Sequence, residues 1–421
     1  MVQSGMARVD PARLKTSASG VRFETLDSWR GICALMVALM HFPVSGPIGE
    51  SAVVRGAYLF VDYFFVLSGF VMAHGYGRKI VDGAALRNFL FLRLGRIYPL
   101  HIAVLGLFVG FEVLRMLVPA LRGDGAPPFT GDNSLSALLS NVLLLNGMGV
   151  EDSLTWNGPS WSISAEMWTY VLFGVGLLLL RARLWIALVC AVLVCPLVLF
   201  LYSPHYMDAT YDFGFVRCVF GFSLGVLLHG VLGRQPALPE PTGSVLWLWT
   251  SAELAAVAGV LAFVSLAAGN AAGFAAPFLF ALVLAVFVPA RGLVSRLLRM
   301  RLFLWLGTLS YGIYMIHIFV QSRLINAGTL FGKVTGTELV GPFQIDGVDF
   351  YGFGVQGAAF GTLMAVLMVI AVVVAAWIGY VLVERPFMRL SRRLVSVREP
   401  KDIAPARRPV AKKATADVLS R

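Results

Sequence analysis

Arg30 and His41 stand eleven residues apart in the first apolar stretch of the chain, LDSWRGICALMVALMHF. On a helix, eleven steps of about 100° return to within about 20° of the starting direction. The rise of about 1.5 Å per residue then separates the two side chains by roughly 16 Å along one face. A permanent cation near one end of a membrane helix and an imidazole near the other is a costly arrangement in lipid. Such groups mark a pathway or a site. An arginine fork suits phosphate recognition. An imidazole suits proton transfer near neutral pH.

Three further ionisable residues fall at the depth expected for His41. Asp62 lies in YLFVDYFFVLSGF, Glu166 in WNGPSWSISAEMW and His317 in LGTLSYGIYMIHIFV. Counted from the ends of their apolar segments, all four sit in the outer part of the membrane. Two imidazoles and two carboxylates at one level form a candidate general-base centre, with Asp62 expected to orient His41 and stabilise its protonated form. Glu166 and His317 are expected to bind a substrate or relay a proton. A basic set lies deeper toward the cytoplasm: Arg30 with the RxxR pair Arg93 and Arg96. Trp161, beside Trp156, is a candidate surface for stacking on a sugar. Tyr314 shares a helix with His317. Phosphates on one side and a reactive group on the other fit a coenzyme A thioester, an anionic nucleotide on a pantetheine arm about as long as the Arg30–His41 separation.

These residues need membrane helices to hold them, and the composition supplies them. The chain is 58% hydrophobic and 14% charged, with mean hydropathy +0.79. That excludes a soluble enzyme and indicates a polytopic membrane protein. The net charge of +11 suggests anionic partners, but Lys and Arg cluster in alternate loops, so nucleic acid is not expected. Cys33, Cys190, Cys195 and Cys218 all lie in apolar stretches and read as small buried hydrophobes, without disulfide or metal spacing. No cleavable signal peptide is visible before the first apolar segment.

Apolar segments fall at 28–45, 57–76, 98–118, 160–180, 184–202, 212–232, 247–268, 272–290, 303–324 and 357–383. Each is long enough to cross a hydrocarbon core of about 30 Å. The expected fold is therefore all-α with about ten transmembrane helices. The segment 134–147 is too short to span and reads as an interfacial helix. With the N-terminus cytoplasmic, the inside loops collect Arg78, Lys79, Arg87, Arg93, Arg96, Arg181, Arg183, Arg234, Arg291, Arg296, Arg299 and Arg301, while the outside loops hold Arg55, Arg122 and Lys333. That asymmetry places both termini in the cytoplasm. Residues 1–25 are read as a cytoplasmic segment, 26–390 as the membrane domain and 391–421 as a disordered basic tail. The two longest loops, 119–159 and 325–356, are expected outside. Asp27 is expected to N-cap the first helix. Glu384 is expected to pair with Arg385, with Pro386 limiting the last span.

The same segments resemble the acyltransferase-3 family of integral membrane O-acyltransferases. LDSWRGICALMVALMHF is similar to its opening helix, VDYFFVLSGF to its second-helix motif and FLFLRLGRIYPL to its RxxR segment. WNGPSWSISAEMW is similar to its Trp-Ser-x-Ser-x-Glu block, LSYGIYMIH to its Ser-Tyr-x-x-Tyr-x-x-His block and VERPF to its terminal Glu-Arg-Pro. Six motifs in order span about residues 26–390. The resemblance implies transfer of an acyl group, often acetyl, from cytoplasmic acyl-CoA to a hydroxyl of an extracytoplasmic acceptor, usually a glycan. The family's essential arginine and histidine fall on Arg30 and His41, and its RxxR on Arg93 and Arg96. Two positions depart from the pattern: Glu166 lacks a following acidic residue, and Ser28 replaces the usual glycine. Too few residues follow Glu384 for the appended hydrolase-like domain of some members, so direct transfer is expected.

The reading is a multi-pass enzyme of the cell (inner or plasma) membrane with His41 as general base. Acyl-CoA enters as donor substrate, and no resident cofactor or metal is expected. An acyl-histidine intermediate is the mechanistic alternative. A secondary transporter or flippase is the alternative class, although no internal repeat or Gly/Pro-broken helix pair is found. A noncatalytic partner in glycan assembly is a third.

Overall fold

The computed structural model describes residues 23–121, 126–233 and 240–398. In chain order the helices are α1 Glu24–Met40, α2 Ala52–Arg55, α3 Phe60–Tyr76, α4 Gly83–Leu117, α5 Leu135–Val142, α6 Trp161–Leu180 and α7 Leu184–Tyr202. They continue with α8 Gly214–Leu232, α9 Gly243–Ala267, α10 Ala276–Phe287, α11 Leu293–Leu298, α12 Arg301–Thr335, α13 Ala358–Gly379 and α14 Arg385–Arg398. Seven helical runs among the described residues are long and apolar enough to cross a membrane. One of them, Gly158–Tyr202, contains both α6 and α7. It breaks at Arg181, whose φ of 46° lies outside helical space. The first apolar segment and the Ala271–Phe287 run are helical but shorter.

Several boundaries differ from the expectation. Helix α4 begins at Gly83 rather than near 98, because Asp82 caps it by accepting from Ala85 N at 2.7 Å. Arg87, Arg93 and Arg96 therefore ride on a helix and not in a loop. The segment 134–147 yields the short helix α5, capped by Ser134. Helix α12 runs on to Thr335 and carries Lys333. The loop behind it is not all irregular: β1 (Gly341–Ile345) and β2 (Val348–Gly352) form an antiparallel hairpin. Its tip, Asp346–Gly347, has φ of 48° and 79°, the left-handed pair that an Asp-Gly turn supplies. Phe353 then bonds Pro43 O at 3.0 Å and pins this loop beside the end of α1.

Pro386 does not stop the last helix. A π-helical turn at Tyr380–Glu384 joins α13 to α14, absorbing the hydrogen bond that proline cannot donate. Glu384 pairs with Arg96 at 3.2 Å, not with Arg385. Residues 391–398, assigned to the tail, belong to α14. The N-terminal residues before 23 and the tail from 399 lie outside the described residues, as do Arg122 and Arg234.

Two close helix crossings set the geometry of the centre. Helix α1 crosses α12 at Gly31 and Gly307. A Cβ on Gly31 would sit 2.7 Å from Gly307 N, so only glycine permits the approach. Helix α3 crosses α8 at Gly69 and Gly225, whose added Cβ atoms would meet the carbonyls of Phe222 and Val66. Small residues at a crossing are how membrane helices gain contact where lipid gives no hydrophobic drive. Polar side chains then tie helices to each other's backbone. Tyr63 OH donates to Leu26 O at 2.9 Å, Thr25 to Phe287 O at 2.9 Å and Ser28 to Leu298 O at 2.6 Å. The last bond gives the departure at Ser28 a structural use that glycine could not serve. Asp27 is not the N-cap. It lies inside the first turn of α1, with Phe23 at the cap.

Candidate active site

The Gly31–Gly307 crossing carries α1 past α12, so that His41 at the end of α1 meets His317. The two imidazole centroids are 5.1 Å apart. Each Nδ1 faces the carbonyl one turn back: His41 to Val37 O at 2.8 Å and His317 to Ile313 O at 3.2 Å. A carbonyl can only accept, so in the neutral rings Nδ1 holds the proton and Nε2 keeps its lone pair. His317 is fully buried, with Nε2 unpartnered. His41 is exposed on the wall of a cleft. Of the two imidazoles His41 is the accessible one, and His317 packs against it.

Two cavities share a wall near this centre, and His41 lines the second. The first, about 890 Å³, is lined by Arg30, Arg93, Arg96 and Arg392, together with Asp27, Ser68, Glu166 and Tyr170. The second, about 780 Å³, is lined by His41, Tyr58, Trp161, Asp208, Arg217 and the hairpin residue Asp346. Arg30 and His41, on one face of α1, therefore open into different cavities. In the arginine cavity Arg30 is steadied by Asp27 at 3.3 Å. Arg93 donates to Tyr76 OH at 3.2 Å and lies over its ring. Arg96 touches Glu384 and also Met388 Sδ at 2.8 Å. Arg392 reaches the same space from α14. Four guanidinium groups against three carboxylates, Glu24, Asp27 and Glu166, leave the lining with an excess of positive charge.

The expected Asp62–His41 contact does not form. Asp62 is fully buried and accepts from Arg217 Nε at 3.1 Å and Nη2 at 2.8 Å. Arg217 also bonds Ala209 O at 3.3 Å and Tyr58 O at 2.9 Å, and lies over the rings of Tyr58 and Trp161. Asp62 is thus consumed in an ion pair that clamps α3, α8 and the 203–213 loop beneath the His41 cleft. Arg217 escaped the sequence reading, although an arginine in the apolar run FVRCVFGF requires a buried partner.

Glu166 does not line the His41 cleft either. It lines the arginine cavity and accepts hydrogen bonds from Ser68 and Tyr170, each at 2.6 Å. The reason is local. The turn before α6 is already deep, with Asn157 and Ser160 fully buried and Asn157 Nδ2 bonded to Met315 O at 2.9 Å. Trp161 lines the His41 cleft. Trp156 does not: its indole donates to Ser134 O at 3.1 Å and packs on Phe129. Tyr314 borders both cavities. No group of three or more His, Cys, Asp or Glu among the described residues is arranged for a metal ion.

Comparison with known proteins identifies the family. The acyltransferase domain model matches residues 23–382. Acyltransferase MdmB of Streptomyces mycarofaciens is 27% identical over 380 residues, covering 85% of this chain and 84% of that protein. Protein 2 in the picA locus of Rhizobium radiobacter is 34% identical over 158 residues, covering 35% of this chain and 78% of that protein. No solved structure matches the chain. A match over nearly the whole length, on a multi-pass helical frame that carries the motifs in order, makes the chain a membrane acyltransferase of the acyltransferase-3 family.

Proposed function

We propose that the protein is a ten-span O-acyltransferase of the cell membrane with both termini in the cytoplasm. It moves an acyl group, acetyl by default, from acyl-CoA to a hydroxyl of an extracytoplasmic glycan or glycoconjugate. The observation that carries this reading is the division of α1 between two cavities, four arginines around one and the accessible His41 in the other.

In this reading the donor's phosphates sit among Arg30, Arg93, Arg96 and Arg392, and the pantetheine arm runs along α1. The acceptor enters the His41 cleft, with Trp161 and Tyr58 against its apolar face. His41 Nε2 takes the hydroxyl proton as the oxygen attacks the thioester carbonyl. A C–O bond forms and the C–S bond breaks. The imidazolium proton passes to the departing sulfur, releasing free coenzyme A. His317 keeps the His41 ring in place. Asp62 and Arg217 hold the frame and do not touch the reacting atoms. Glu166 belongs to the donor side, where Ser68 and Tyr170 fix its orientation.

The test is purified protein with radiolabelled acetyl-CoA and a panel of glycan acceptors, followed by mass spectrometry of the products. Acceptor-dependent label transfer that vanishes in His41→Ala supports the reading. Label transfer that survives His41→Ala, or none from any acyl-CoA, refutes it.

A further inference from the structure

The two cavities have only two lining residues in common, Val61 and Tyr314. Both are buried, at 4% and 6% exposure, so they form the wall between the spaces. We propose that Val61 and Tyr314 are the acyl-size filter of this protein, fixing which acyl groups reach His41. The inference rests on the transferase reading and deepens it.

The wall is stiff on one side. Val61 precedes Asp62, whose carboxylate is forked by Arg217, and the next residue, Tyr63, is tied to Leu26 O. The backbone of α3 is therefore held against both α8 and α1 at this point. Valine in a helix also keeps essentially one χ1 rotamer. The other side is a ring. Tyr314 packs against Phe64 and His317, with centroids 5.9 Å away in each case. A thioester held by its phosphates in the arginine cavity must bring its carbonyl to this wall for a hydroxyl at His41 to reach it. The acyl tail then has only the space that the Val61 methyls and the Tyr314 ring leave. A two-carbon group needs little; each added methylene meets one of the two side chains. Discrimination by pocket size runs about 10- to 200-fold per methylene.

The measurement is kcat/KM for acetyl-, propionyl- and butyryl-CoA at fixed acceptor. Val61→Ala and Tyr314→Leu should each raise the butyryl-to-acetyl ratio by about tenfold or more. Tyr314→Phe, which keeps the ring, should leave the ratio unchanged, and Val61→Leu should lower it. Gel filtration and membrane insertion of each variant show that it is folded. Transfer with an unaltered ratio in both enlarging variants would overturn the filter and leave the enzymatic reading standing. No transfer from any donor by the unmodified protein would overturn both.

Discussion

Replacing Arg217 by alanine should destabilise the protein more than replacing any other residue that lines either cavity. The side chain makes two bonds to Asp62, at 3.1 and 2.8 Å, and reaches the carbonyls of Ala209 and Tyr58. Its removal strands a fully buried carboxylate and two carbonyl oxygens. An uncompensated buried charge costs about 3–5 kcal/mol. Even the lower bound is more than a hundredfold in the folding equilibrium, since about 1.4 kcal/mol is tenfold. Arg217→Lys should fall between, because one ammonium cannot fork Asp62 and still span both carbonyls. The double variant Asp62→Leu with Arg217→Met removes both charges and should be more stable than Arg217→Ala alone. Unfolding of detergent-solubilised protein by SDS titration, read by tryptophan fluorescence, gives the four free energies. An Arg217→Ala protein as stable as the unmodified one would refute the clamp. A double variant no more stable than Arg217→Ala would refute the coupling.

His41→Ala should leave a folded protein whose transfer rate falls by about 10²–10⁴, the range for a lost general base, as measured by initial rates at saturating donor. Arg93→Ala should weaken acyl-CoA binding by about 1.5–3 kcal/mol, one charge-assisted contact, in an equilibrium titration. Arg96→Ala should show the same donor loss with a further loss of stability, because it also strands buried Glu384. Gly307→Val should abolish folding, since its Cβ would drive into the α1 backbone at Asp27. Recovery of monodisperse Gly307→Val protein would count against the crossing.

The helical frame was legible because hydropathy is a local property, and each apolar segment became a helix. Rotation and depth were less so. Asp62 was assigned to His41 because sequence position gives height along a helix and not the direction a side chain faces. Its true partner, Arg217, lies 155 residues away. Glu166 lines the arginine cavity, on a helix whose preceding turn at Asn157–Ser160 is buried, and hydropathy does not reveal a buried turn. The Asp-Gly tip at 346–347 is a turn signal within a segment otherwise legible only as a long loop, and the flanking five-residue strands are too short to stand out. Arg30, His41, Arg93 and Arg96 were separated into basic and titratable groups by sequence alone. Arg392 needed the structure, because the π turn that swings α14 to the arginine cavity has no sequence signature.

The central claim is that donor and acceptor meet through the wall between the two cavities, each from its own side of the membrane. Sealed proteoliposomes of one orientation test it directly, with acetyl-CoA on the face that carries Arg93 and Arg96 and the acceptor on the face that carries the hairpin. Acylated acceptor should form only in that arrangement. Product that requires both substrates on the same face would contradict the account.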